Sequence, residues 1–128
     1  MSIIDPKTVA LMFNDCINNR DLNSLTELMT DDHAFIDIAG NIINGNQNCK
    51  KAWEDFFNSF PDYQNILKSL ISFDDIVIIE GYSNCSDKRL EGHEIWTARI
   101  RDNKVSEWRV YEDNEENRQK LKLTTDPC

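Results

Sequence analysis

Apolar positions in the first half of the chain recur at helical spacing. Val9, Phe13, Cys16 and Ile17, with Met12 beside them, form one stripe. Asp5 before Pro6 supplies an N-cap and a first-turn proline, so a helix is predicted from Pro6 until Asn18-Asn19-Arg20 ends it. Asp21 caps a shorter helix carrying Leu22, Leu25, Leu28 and Met29. Asp31-Asp32-His33 reads as an interruption, followed by a strand over 34–38 that is apolar except for Asp37. Gly40-Asn41 and Asn44-Gly45-Asn46 are turn signals around the apolar pair Ile42-Ile43. A third helix is predicted from Asn46 to Phe60. Cys49, Trp53, Phe56, Phe57 and Phe60 lie on its buried side, and Pro61-Asp62 stops it.

Beyond Tyr63 the pattern changes to that of strands, predicted over 63–73, 76–85, 89–100 and 105–112. Asp74-Asp75, Ser86-Asp87-Lys88 and Arg101-Asp102-Asn103-Lys104 are the turns between them. Hairpin connections this short make an antiparallel meander, because parallel neighbours need long crossovers. Helices first and strands afterwards is an α+β order. The expected architecture is a cone: three N-terminal helices packed on a strongly bent antiparallel or mixed sheet, with room for a pocket at the wide end. One domain is expected over 1–123, with a disordered tail over 124–128.

Composition narrows the partners. The 128 residues suffice for one core, and 23 acids against 14 Lys and Arg leave a net charge of −9. Nucleic-acid binding draws most of its affinity from clustered basic residues, so this balance excludes it; an anionic membrane surface is disfavoured for the same reason. The opening Met1-Ser2-Ile3-Ile4-Asp5-Pro6 has neither a basic start nor a long apolar run, so a cytoplasmic protein is expected. Cys16, Cys49, Cys85 and Cys128 lack the paired spacing of zinc sites or redox dithiols, and free thiols in a reducing compartment are expected. No metal-site spacing, phosphate-cradling glycine loop or nucleophile motif occurs, so no cofactor is expected.

Several segments in order carry a resemblance. They are Asn19-Arg20-Asp21-Leu22-Asn23-Ser24-Leu25, Leu28-Met29-Thr30-Asp31-Asp32, Asn44-Gly45-Asn46, the run from Arg99 to Trp108, and Tyr111-Glu112-Asp113. Together they resemble the nuclear transport factor 2-like superfamily, in its SnoaL-like and ketosteroid isomerase-like branch, over about Thr8 to Leu123. The resemblance implies the conical fold, a homodimer through the outer face of the sheet, and a pocket for a small hydrophobic molecule. It also implies a general base just after the Asp-Asp pair, where Asp37 stands. The tyrosine and protonated aspartate that hold an oxyanion in isomerase-like members match Phe13 and Trp96, which departs from that pattern. The acid of cyclase-like members, four residues after the last-strand tryptophan, matches Glu112. The aspartate that epoxide hydrolase-like members carry two residues after that tryptophan is Val110 here.

The residues make their own case, with alternatives open. Asp37 is a carboxyl on a mostly apolar strand, where desolvation favours a proton acceptor near neutrality; equally, it is the first residue of a turn and bonds backbone amides. Glu112 alternates with Val110 and Trp108, so it either faces the pocket or opens the solvated acidic run through Glu116. Trp53, Trp96 and Trp108 either line an aromatic cavity or fill the core. Glu94 shares the face of Trp96 near the start of its strand. His93 is out of phase with Trp96 and should face outward, His33 sits in the Asp-rich interruption, and Arg89, Arg99 and Arg101 should share the outer face. The function expected is a pocket protein and possible cofactor-free isomerase or cyclase, with Asp37 and Glu112 as its acids and Phe13, Trp53, Trp96 and Trp108 around the substrate. The alternative is a non-catalytic ligand-binding or protein-interaction domain.

Overall fold

The computed structural model describes residues 3–123; the expected tail over 124–128, with Cys128, lies outside the described residues. The elements run α1 (Pro6–Asn19), α2 (Leu22–Glu27), β1 (Met29–Ile36), β2 (Ile42–Asn44), α3 (Asn46–Ser59), β3 (Gln64–Phe73), β4 (Ile76–Asn84), a 3-10 turn (Lys88–Leu90), β5 (Gly92–Arg101), β6 (Lys104–Glu112) and α4 (Glu115–Lys120). The strands form one six-stranded sheet in the order β2-β1-β6-β5-β4-β3. β3 to β6 are the antiparallel meander, and β1 joins it parallel to β6, which makes the sheet mixed. The α+β architecture is the expected one. No described helix is long and apolar enough to cross a membrane.

α1 forms where its caps and its apolar stripe agree. The Asp5 carboxylate accepts from the Lys7 N–H at 2.9 Å, and Val9, Ala10, Phe13 and Ile17 are all fully buried. Arg20 ends the helix in the left-handed region at φ 56°. Its guanidinium donates to the carbonyls of Ile17, Asn18 and Phe60, which ties the end of α1 to the end of α3. The Phe13 ring lies 4.9 Å from that of Trp108, so the helix docks on the centre of the sheet through an aromatic pair worth about 1 kcal/mol beyond its buried area.

Four expectations need correction. Asp31-Asp32-His33 does not interrupt the chain but lies inside β1, which starts at Met29: pairing with β6 supplies the backbone partners, and a register shift between Met29 and Ala34 absorbs the irregularity. β1 ends at Ile36, so Asp37 belongs to the following turn. Arg89 is not on β5; it sits in the 3-10 turn, where the Asp87 carboxylate caps its N–H at 3.0 Å. α4 was not expected, because a six-residue charged segment carries no apolar stripe; Asn114 caps it by accepting from the Asn117 N–H at 2.8 Å.

Candidate functional site

The inner face of the sheet and α3 enclose a cavity of about 370 Å³. Its wall is aromatic because α3 presents Trp53 and Phe56 toward Phe35 of β1, Trp96 of β5 and Trp108 of β6. Edge-on contacts link Phe35 to Trp53 at 5.3 Å, Trp53 to Phe56 at 5.6 Å, and Phe56 to Tyr63 at 4.9 Å. The polar lining consists of Asp37, Tyr63, Asn65, Arg89 and Glu94. Strand alternation explains the inner members: Glu94 and Trp96 share a face of β5, as Trp108 and Val110 share one of β6.

Glu94 is the acid set among these apolar walls. Burial pushes its carboxyl up to about 7, and hydrogen bonding to the Ser83 hydroxyl opposes part of that rise. Gly81, not a side chain, stands opposite Glu94 on β4. A Cβ there would lie 2.3 Å from the Ile66 carbonyl oxygen and 3.0 Å from the Trp96 ring, so only glycine leaves room for the β3 backbone and the Trp96 ring to approach this closely.

Tyr63 and Asn65, at the head of β3, complete the polar end. The Tyr63 hydroxyl lies 2.9 Å from Ser83 Oγ, which in turn donates to Asn65 Oδ1 at 3.2 Å. The Asn65 amide donates onward to Asn14 Oδ1 of α1 at 3.1 Å, so a buried polar chain leads from the cavity to the first helix. Burial and the nearby Glu94 charge hold the Tyr63 phenol far above its usual range, and it stays a hydrogen-bond donor.

Asp37 reaches the cavity at its rim, but its carboxylate is occupied. Oδ1 accepts from the N–H groups of Ala39 and Asn41, both at 2.9 Å, and Oδ2 from the Asn41 side chain at 3.1 Å. Burial pulls its pKa upward, yet these bonds outweigh it and leave the group below the usual carboxylate range. Glu112 does not line the cavity. It is exposed at the end of β6, opposite Glu94 in register, and its carboxylate accepts from the Asn114 side chain at 3.3 Å. Asp37 and Glu112 therefore share no cavity. Phe13 lies behind the wall, fully buried between Trp108 and His33, and touches no cavity space. Trp53, Trp96 and Trp108 do converge on it.

The remaining candidates fall elsewhere. His33 is fully buried, with Nδ1 2.6 Å from the Val105 carbonyl and Nε2 unpartnered. His93 faces outward, edge-on to Tyr82 at 5.3 Å. The three arginines do not form a stripe: Arg89 stands at the cavity rim paired with Asp87, Arg99 pairs with Asp75, and Arg101 with Asp32. Sequence reasoning placed Glu94 beside Trp96 and Arg89 on the outer face, and did not single out Tyr63, Asn65 or Ser83. The alternation of Glu94 with Trp96 was the available signal for the first; nothing local marks the others.

No curated protein sequence matches the chain. An uncharacterised cystatin-fold protein of Novosphingobium aromaticivorans superposes with a TM-score of 0.75 at 14% identity, covering 86% of this chain and 100% of that one. IdmH, a candidate polyketide cyclase of Streptomyces antibioticus, gives 0.73 at 16% identity over 94% of this chain and 100% of its own. An LEH-like epoxide hydrolase of M. tuberculosis gives 0.74 at 14% identity, covering 84% of this chain and 82% of that one. At these identities the likeness is one of fold, that of the cystatin and nuclear transport factor 2-like proteins. The SnoaL-like domain matches residues 10–108, most of the chain, and this protein is therefore a member of the SnoaL-like family.

Proposed function

We propose that the protein is a proton-transfer enzyme of isomerase or cyclase type, acting on a small apolar or cyclic molecule with Glu94 as the group that takes and returns the proton. One observation carries this reading: a carboxyl inside an aromatic cavity, raised to about 7 by burial. General acid–base catalysis is most effective when the pKa lies near the working pH, since both protonation states are then populated. The aromatic wall suits the apolar body of a substrate, and the Tyr63 phenol and Asn65 amide lie at the end where a polar oxygen would rest. Asp37, held in its turn, is a rim group in this scheme and not the base.

The test uses β-tetralone, a bicyclic ketone with an acidic C–H beside its carbonyl and a size suited to the cavity. Proton NMR in deuterated buffer follows exchange of that C–H. The wild-type protein is expected to accelerate exchange along a pH profile with a midpoint near 7, and Glu94→Gln to abolish the acceleration. The rival, a non-catalytic binding domain, draws on Phe13 and Trp96 standing where isomerase-like members hold an oxyanion. Tight binding of the ketone with no acceleration of exchange would decide for that rival.

A further inference from the structure

Ser83, fully buried on β4, stands outside the cavity lining yet bonds two of its polar groups and neighbours a third. Its oxygen lies 2.9 Å from the Tyr63 hydroxyl and 3.2 Å from Asn65 Oδ1. On the same inner face, Glu94 is its diagonal cross-strand neighbour, because Gly81 pairs with Glu94 and Ser83 with Gly92. A serine hydroxyl has one proton and two lone pairs, so it cannot donate to Asn65 and Glu94 together. The Asn65 amide is fixed in orientation, since its nitrogen donates to Asn14 at 3.1 Å and leaves the carbonyl oxygen toward Ser83.

Resting on the proton-transfer reading above, we propose that Ser83 is the positioning residue of the site, a hydroxyl switch that donates to Glu94 when that carboxyl is ionised and to the Asn65 carbonyl when it is protonated. The direction follows from bond strength. A hydrogen bond to a carboxylate is about twice as strong as one to a neutral amide, so the ionised acid takes the serine proton. Once Glu94 gains a proton it no longer needs a donor, and the serine proton returns to Asn65 while Tyr63 continues to donate to the serine oxygen. Glu94 then holds its own proton toward the cavity. The serine proton never leaves its oxygen; only the C–O bond rotates.

The other charged and titratable groups around Glu94 are held elsewhere. Arg89 is paired with Asp87, Asp37 bonds Ala39 and Asn41, and Glu112, opposite on β6, bonds Asn114. Tyr63 is bound to Ser83 itself. Ser83 is thus the partner that tells the two states of Glu94 apart, in keeping with the downward pull its hydroxyl exerts on that acid.

Carbon-detected NMR of the isotope-labelled full chain tests this without a substrate. In the wild-type protein the Asn65 side-chain signals should move with the Glu94 midpoint, because Asn65 gains and loses its serine partner there. Ser83→Ala should raise that midpoint by about one pH unit, and Ser83→Thr, which keeps the hydroxyl, should bring it back. A folded Ser83→Ala protein with an unchanged midpoint overturns the switch. So do Asn65 signals indifferent to Glu94 in the wild type, a measurement that needs no variant to fold. A wild-type midpoint in the ordinary carboxylate range removes the proton-transfer reading instead, and Asn65 signals that track even that midpoint uphold the switch.

Discussion

The buried acid that makes this site chemically interesting should also make the fold pH-sensitive in an unusual direction. Glu94 rises from 4.5 to about 7 on folding. A carboxyl whose folded pKa is raised adds stability that is fully present below its unfolded pKa and is lost as pH rises through the folded value. The window therefore runs from pH 4.5 to about 7. At 1.36 kcal/mol per pH unit the full difference is about 3 kcal/mol. The carboxyl is partly open to the cavity, and solvent screening reduces this to about 2 kcal/mol. Glu94→Gln is the matched perturbation, since the amide has the shape of the protonated acid and does not titrate. Urea denaturation of both proteins at pH 5 and pH 9 is the assay. At pH 5, where the unfolded carboxyl is already mostly ionised, the variant should lead by less than about 1 kcal/mol, and at pH 9 by about 2 kcal/mol. The comparison between proteins cancels every other titrating group. A stability difference that is the same at both pH values would refute the claim that Glu94 is buried at a cost.

Two further outcomes follow from the neighbours of this site. Burial lowers the His33 pKa, opposed by its bond to the Val105 carbonyl, so this group contributes stability that is present above its unfolded pKa and is lost as pH falls through the histidine range. His33→Asn, whose amide can donate to the same carbonyl, should remove that acid-side loss in denaturation series between pH 7 and pH 5, and an unchanged loss would place its origin elsewhere. Asp37→Ala should cost about 1 kcal/mol by freeing the amides of Ala39 and Asn41. It should leave the Glu94 midpoint where it is, and a moved midpoint would mean that the rim and the interior act as one unit.

Local chemistry made much of the fold legible. Caps at Asp5 and Asp21, the apolar stripes of α1 and α3 and the short turns of the meander each involve residues close in sequence, and they gave the first three helices, the strands from β3 onward and the α+β order, but not α4. Alternation likewise placed Trp96 and Glu94 on one face and sent His93 to the other. Asp37 shows where local reasoning stops. Turn residue and buried base were both compatible with its neighbours, and the chain offered no means of weighing them.

Tertiary structure decided what depends on distant partners. β1 begins at Met29 because β6, more than seventy residues away in the chain, supplies its hydrogen bonds. Glu112 and Glu94 sit opposite each other on adjacent strands, yet one ends in solvent and the other in an aromatic cavity closed by α3. Tyr63, Asn65 and Ser83 meet only because β3 pairs with β4 and α1 reaches across to Asn65. A pKa is set by the whole surroundings of a group, so the sequence could offer three tryptophans as wall or core, whereas the packing brought them to one cavity without Phe13 and chose the acid inside it.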